Sequence, residues 1–294
     1  MLTVTIEALP GGDDDLHLHA GGQGFWDARM ARRLGAEVTL CAPLGGETGA
    51  VIRGLAASEG VEIAAVETKS ANGAYVHDRR SGERVELAQV PSPRLARHEV
   101  DELFGMTVAA GLNSDVMLLT GSPRDVVETD VYRRLAVDLR ANGVPVLADL
   151  AGGYLDAALE SGVDLLKLSP ADHVAQVASA NFDELALGMR ELQRAGAKNV
   201  LFTRGADPSL LLADDGRLLQ LEGPRFEPAD PEGSGDAMFA TIGVAWARGE
   251  GLLAAVRRGV AAGSLNATRH GRGTGSPAEI DRLLSRVKMA VLAS

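Results

Sequence analysis

The chain has 294 residues, enough for one large core or for one domain with an appendage. With 46% hydrophobic and 23% charged residues it reads as a globular protein, and a formal net charge of −11 argues against a nucleic-acid or anionic-membrane partner. Its single cysteine, Cys41, cannot close an intramolecular disulfide, no run approaches the ~18 apolar residues of a membrane span, and the first residues lack a signal-peptide pattern, so a cytoplasmic protein is expected.

Taken in chain order, residues 15–19 alternate strictly between apolar and polar, which predicts a strand with one wet face. Gly21-Gly22-Gln23-Gly24 follows and opens a predicted helix through Trp26, Met30 and Leu34. Strands are predicted at 37–41 and 61–64, separated by a helix at 49–58. Residues 73–87 alternate again around a turn at 80–83. From there short, unalternating apolar runs at 115–119, 144–148, 164–167 and 199–202 read as buried parallel strands. Helices at 126–141, 153–159 and 181–194 lie between them, and after Gly223 only helices are expected, at 236–248, 251–269 and 277–287. This order predicts an α/β fold: a doubly wound, Rossmann-like, mostly parallel sheet with helices on both faces. The two alternating stretches form a small antiparallel lid, so residues 1–294 are expected to be one domain with lid segments at 13–19 and 73–90. Leu16 and Leu18 point one way, and Tyr75, Val85 and Leu87 are expected to share a face across the turn. Such a face needs cover, either by closing over a ligand or by meeting the same lid of a second subunit; a homodimer is expected.

The segment richest in chemistry is Gly233-Ser234-Gly235-Asp236, which leads into an apolar helical run. A Gly-Ser-Gly turn at a helix N-terminus suits an anion such as phosphate. A carboxylate at its mouth is poorly placed to bind phosphate but well placed to take a proton from a hydroxyl attacking it. Residues 203–207 occupy the carboxyl end of a strand, where ligands of open α/β sheets gather. The glycines at 21–24 do not make a dinucleotide fingerprint, because Leu40-Cys41-Ala42 stand where that motif needs an acid. No Gly-x-x-x-x-Gly-Lys-Ser/Thr loop occurs. Residues 43–49 read as a βα loop and 266–275 as a glycine-rich helix end. His17 and His19 share a strand face without a third ligand and read as lid residues, and Asp13 to Asp15 as a solvated turn.

In sequence order these segments resemble the ribokinase-like carbohydrate kinases, specifically the phosphofructokinase-B branch with its fructose-1-phosphate and tagatose-6-phosphate kinases. The resemblance runs through Gly-Gly-x-Gly with Ala28-Arg29, residues 43–49, Thr120-Gly121-Ser122, Lys167-Leu-Ser-Pro170, residues 203–207, residues 233–236 and residues 266–271. It implies an ATP-dependent phosphotransferase using Mg²⁺, acting on a sugar or sugar phosphate. By the resemblance Asp236 is the base, and Gly233, Ser234 and Gly235 form the anion hole. Lys167, Ser169, Thr203, Arg204, Gly205 and Asn266 meet the nucleotide, and Asp172 organises the metal. Gly21, Gly22, Gln23, Gly24 and Trp26 lie where the family binds its substrate. Here the chain departs from the pattern: Gln23 replaces a lysine, Trp26 an asparagine, Ser169 an asparagine, and Asp172 a glutamate. The usual N-terminal Asn-Pro-Ala-x-Asp segment is missing; Glu7 or one of Asp13 to Asp15 could substitute for its aspartate, and Arg79, Arg80 or Arg84 could grip a phosphate. The catalytic end is kept and the substrate end rebuilt. The alternative is a nucleotide- or ligand-binding protein on a kinase scaffold, without useful turnover.

Overall fold

A computed structural model of the chain describes residues 1–121, 126–169, 181–269 and 271–293. Its centre is a seven-stranded sheet in the order β13-β12-β11-β10-β9-β8-β7. Strands β7 (Met117–Thr120), β8 (Val146–Asp149), β9 (Leu165–Leu168) and β10 (Val200–Arg204) are parallel, as their unbroken apolar sequences demand. Every residue of β8 and β9 is buried.

Alternate residues of these strands enter different cores. Leu147, Leu165 and Leu201 face the layer of α1 (Gln23–Arg33), α7 (Ser234–Ala247), α8 (Leu252–Asn266) and α9 (Pro277–Leu284). Val146, Leu166 and Val200 face α4 (Asp130–Ala141), α5 (Gly152–Ser161) and α6 (Phe182–Ala195), with α3 (Arg97–Gly111) at the margin. The period-two alternation of a strand thus sorts one leucine-rich sequence into two cores. Helix α7 lies deepest: Ala237 to Ala245 are all buried, so its apolar content surrounds the whole helix instead of forming one stripe.

Three expectations need correction. Strands do not stop at Gly223: β11 (Asp207–Leu212) and β12 (Leu218–Glu222) extend the sheet antiparallel before it, and β13 (Lys288–Ala293), far beyond it, pairs with β12. As an edge strand β13 leaves Met289, Val291 and Leu292 partly exposed, so neither alternation nor a nearby turn announces it. Next, β3 (Thr39–Gly45) and β4 (Glu62–Thr68), flanking α2 (Gly46–Ser58), form their own parallel pair and do not join the main sheet. Finally, Tyr75 does not share a face with Val85: it stands opposite Gln89, whereas Val85 stands opposite Asp78 on the other face.

The lid explains that last point. It has four strands, in the order β2-β1-β5-β6, and its central strand is β1 (Leu2–Ala8), which the alternation of 15–19 alone does not reveal. Strand β1 pairs antiparallel with β2 (Asp14–Ala20) and parallel with β5 (Ala74–Asp78), which pairs with β6 (Val85–Val90). The register sets Thr3, His19 and Tyr75 side by side, and Thr5, His17 and His77. Val4 and Ile6 fall opposite Leu18 and Leu16 on the other face. A bulge between Val76 and His77 brings Glu86 opposite His77. One lid face is therefore polar and aromatic; the other is aliphatic.

The burial of α7 sets the expected mechanical weak point. Phe239 is completely buried, and Phe239→Ala should cost about 3–5 kcal/mol of stability, read from urea unfolding.

Candidate active site

Helix α7 starts at Gly233, whose φ of 77° and ψ of 3° lie in the left-handed region. A residue with a Cβ would be strained there, and its side chain would also strike Arg272, whose Cγ stands 2.6 Å from the Cβ position. Gly233 has no side chain with which to cap the helix, so the positive end of α7 is left to an incoming anion. The Ser234 hydroxyl is buried without a hydrogen-bond partner among the described residues. Lys167 Nζ lies 3.1 Å from where a Cβ on Gly235 would stand, so the lysine forms the back of this hollow. An orphaned hydroxyl, a lysine and a bare helix end fit a phosphoryl group.

Asp236 follows within the first turn of α7. Beneath it, Lys167 on β9 donates to Asp149 Oδ2 on β8 at 2.7 Å, with both side chains almost fully buried. The carboxyl ends of two neighbouring parallel strands thus hold an ion pair below the helix start. Asp27, on α1, completes the cluster. It is 3% exposed, and neither carboxyl oxygen has a hydrogen-bond partner among the described residues. Burial pushes its proton affinity well above the ordinary aspartate value, the nearby charges of Asp236 and Asp149 add to this, and Lys167 only partly opposes it. The folded protein therefore favours the neutral acid form of Asp27.

The proposed nucleotide residues follow the same strand ends. Ser169 succeeds β9, and Thr203 and Arg204 end β10, where Thr203 Oγ1 donates to Leu168 O at 3.1 Å. Gly205 turns the chain into β11. Asn266 is buried and spends its amide within the protein: Nδ2 donates to Glu232 O at 3.1 Å, and Oδ1 accepts from Thr274 N at 3.3 Å. It ties the loop before the anion hole to the glycine-rich loop after α8. Asp172, expected at the metal, lies outside the described residues, as do Ser122 and Pro170. Among the described residues no group of three or more His, Cys, Asp or Glu is arranged to hold a metal ion.

On the substrate side a cavity of about 940 Å³ opens between the lid and α1. Gly21, Gly22, Gln23, Gly24 and Trp26 line it, together with Glu7, His17 and Tyr75 of the lid. Of the acids considered as replacements for the missing aspartate, Glu7 is on this wall; Asp13, Asp14 and Asp15 are not. The Trp26 ring packs edge-on to Phe25 with centroids 5.3 Å apart, and the guanidiniums of Arg29 and Arg272 lie 5.6 and 5.8 Å from its centroid. Every arginine lining the cavity already has a carboxylate: Arg29 meets Glu59 at 3.0 Å, Arg79 meets Asp230 at 3.4 Å, and Arg84 and Arg272 both meet Glu232. Burial works to raise the Glu232 carboxyl, but Arg272 and Arg84 outweigh it and hold the group below its ordinary value.

Asp149, Asp27, Glu232 and Arg272 are the site residues that the motifs did not single out. Asp149 had a legible signal, since it closes a strand whose carboxyl end faces the ligand edge. Asp27 had another: it is an acid amid Phe25, Trp26, Ala28 and Met30, on the buried side of its helix.

The fold is a ribokinase-like α/β fold, with helices on both faces of its sheet. The chain belongs to the pfkB family of carbohydrate kinases, whose model matches residues 11–279, and it is an enzyme that transfers phosphate to a sugar hydroxyl. It is 29% identical over 249 residues to the ATP-dependent 6-phosphofructokinase isozyme 2 of Mycobacterium tuberculosis, covering 83% of this chain and 73% of that protein. It is 28% identical to the Escherichia coli protein of the same name, over 83% of this chain and 80% of that one. The structure superposes on Escherichia coli phosphofructokinase-2 with a TM-score of 0.85, at 25% identity, over 97% and 95% of the two chains.

The buried acid gives a pH test. The folded state keeps the Asp27 proton to higher pH than the unfolded chain does, so the folded state binds more protons in that window. Stability from this group is therefore lost as pH rises above the ordinary aspartate range of about 4. An Asp27→Asn variant lacks this titration. Its advantage over the parent should widen by up to about 1.4 kcal/mol per pH unit within the window, measured by urea unfolding between pH 5 and pH 8.

Proposed function

We propose that this kinase uses ATP to phosphorylate a hydroxyl of a sugar phosphate, by default a fructose phosphate, with Asp236 as the base. The observation that carries the reading is the meeting of Asp236, the Gly233–Gly235 hollow and the Lys167–Asp149 pair at one helix start. The fructose phosphate follows from the relatives, which are named as 6-phosphofructokinases and, in Borreliella burgdorferi, a 1-phosphofructokinase.

In this reading the acceptor lies in the cavity between the lid and Gly21 to Trp26, with its reacting hydroxyl toward Asp236. Asp236 accepts the hydroxyl proton as the oxygen attacks. The amides at the start of α7 and the Ser234 hydroxyl hold the negative charge of the moving group, and Lys167, fixed by Asp149, supplies a positive charge behind it. Bound ATP supplies the phosphoryl group. Ser169, Thr203, Arg204 and Gly205 are the residues that would hold the nucleotide. Asn266 would act at one remove, by fixing the loop on which the hollow is built. The described residues build no cage for Mg²⁺, which suits a metal carried largely by nucleotide phosphates and water; Asp172 remains the proposed protein contact. A cytoplasmic setting accords with ATP as donor.

The lid supplies a second part of the proposal. Leu16, Leu18, Val85, Leu87 and Val90 are 45–61% exposed on the lid's aliphatic side. A patch of this kind favours pairing with its copy about a two-fold axis, which gives a homodimer joined through the lids. Light scattering at micromolar concentration should report a dimer mass, and the double variant Leu16→Lys, Leu18→Lys should report a monomer.

Catalysis is tested by ADP release over a panel of hexoses, hexose phosphates and nucleosides. Asp236→Asn should slow the substrate-dependent reaction by about 10²–10⁴-fold. Unchanged turnover in that variant would remove Asp236 as the base. ATP binding with no turnover on any panel member would favour the binding-protein alternative, for which the Trp26 indole at the acceptor wall is the motivating feature.

A further inference from the structure

Two arginines from opposite walls of the cavity converge on one oxygen atom. Arg84 precedes β6 in the lid, and its Nη1 donates to Glu232 Oε2 at 2.5 Å. Arg272, from the loop after α8, donates through Nη2 to the same Oε2. The stem of Arg272 lies across Gly233, so this meeting point is at the lip of the anion hollow. On the lid side Arg84 Nη2 also lies 3.3 Å from His77 Nε2, which helps to fix the guanidinium. Burial and the Arg84 charge lower the proton affinity of His77, which favours the neutral imidazole over a competing cation.

The backbone of Glu232 is anchored by hydrogen bonds, whereas its side chain is held through ion pairs open to water. Asp230 Oδ1 accepts from Glu232 N at 3.0 Å, and Asn266 Nδ2 donates to Glu232 O. The carboxylate is 44% exposed, and in the described structure it is held by the two guanidiniums. Ion pairs this open to water are weak. A phosphoryl group carries more charge and more acceptor oxygens than a carboxylate, and guanidinium forks bind it more strongly. Two arginines aimed at one oxygen, beside a hollow built for phosphate, form a phosphoryl site with an internal carboxylate in it.

We propose that Arg84 and Arg272 form a phosphoryl clamp, that Glu232 occupies the clamp in the resting protein, and that a ligand's phosphoryl group displaces it. Glu232 is then a specificity-determining residue, because a ligand without such a group cannot dislodge it. Because Arg84 belongs to the lid and Arg272 does not, a loaded clamp also joins the lid to the catalytic loop. The proposal rests on the kinase reading only for the source of the phosphoryl group, which is either the acceptor's own phosphate or the group in transfer.

Calorimetry with inorganic phosphate, fructose 6-phosphate, fructose and a non-hydrolysable ATP analogue tests this on the parent protein, Glu232→Gln and Arg84→Gln. Glu232→Gln should bind at least one phosphorylated ligand about tenfold more tightly than the parent, and Arg84→Gln about tenfold more weakly, with fructose indifferent to both changes. If the shift falls on fructose 6-phosphate the clamp holds the acceptor's phosphate; if it falls on the ATP analogue the clamp holds the group in transfer. The proposal is overturned if Glu232→Gln tightens no phosphorylated ligand, if fructose shifts equally, or if none of the ligands binds any of the three proteins at millimolar concentration. ADP release, measured in parallel, separates this from the kinase reading. The binding pattern without turnover keeps the clamp and removes the kinase; turnover without the pattern does the reverse.

Discussion

The buried ion pair between Lys167 and Asp149 is the interaction on which the site depends. Three carboxylates, Asp27, Asp149 and Asp236, gather where β8 and β9 end beneath α7, and within the cluster one lysine answers them. A medium of low polarity opposes that accumulation of negative charge, and burial shifts the deepest acid, Asp27, toward its protonated form. Asp149 fixes Lys167, Lys167 fills the back of the hollow, and the space at Gly235 is shaped around its ammonium. An ion pair of this depth contributes little to net stability, because desolvating both charges offsets most of their attraction. Its consequence is positional: a cation is held in place before any ligand arrives, and the proposed reaction would need no reorganisation there as negative charge develops.

Much of this was legible in the sequence, and what was not has physical causes. The parallel strands were readable because strands covered on both faces carry unbroken apolar runs, and Leu165 to Leu168 is such a run. Strands β1 and β13 were not, for opposite reasons. β1 is central in the lid but mixes threonine, valine and glutamate on two differently wetted faces, and β13 is an edge whose partner lies far back in the chain. The separation of β3 and β4 from the main sheet follows from tertiary arrangement and leaves no local trace. At the site, Gly233 to Asp236 was visible because its geometry is local. Glu232 and Arg272 became meaningful only once the chain had brought the lid, the loop before α7 and the loop after α8 together.

The site joins residues that differ sharply in how far they are free to move. Asp27, Asp149 and Lys167 are locked in the core, whereas Glu232, Arg84 and Arg79 are partly in water on elements that meet across more than a hundred positions of sequence. Rigid chemistry thus sits beside an adjustable entrance. The glycines at 21–24 lie between the two, close to the lid above and to Thr120 below, where Gly24 leaves only 3.1 Å from a would-be Cβ to the threonine hydroxyl.

The alternation of the lid strands has a consequence for how this protein can diverge. Odd-numbered residues of β1, such as Thr3, Thr5 and Glu7, look into the cavity, while the even-numbered Val4 and Ile6 belong to the opposite surface. Under the proposed function, choice of acceptor and choice of molecular neighbour are written in interleaved letters of the same short strands. Either text can be revised without rewriting the other, and neither revision reaches the carboxylates under α7. A lineage built on this plan can change what it phosphorylates while its means of phosphorylation stays the same.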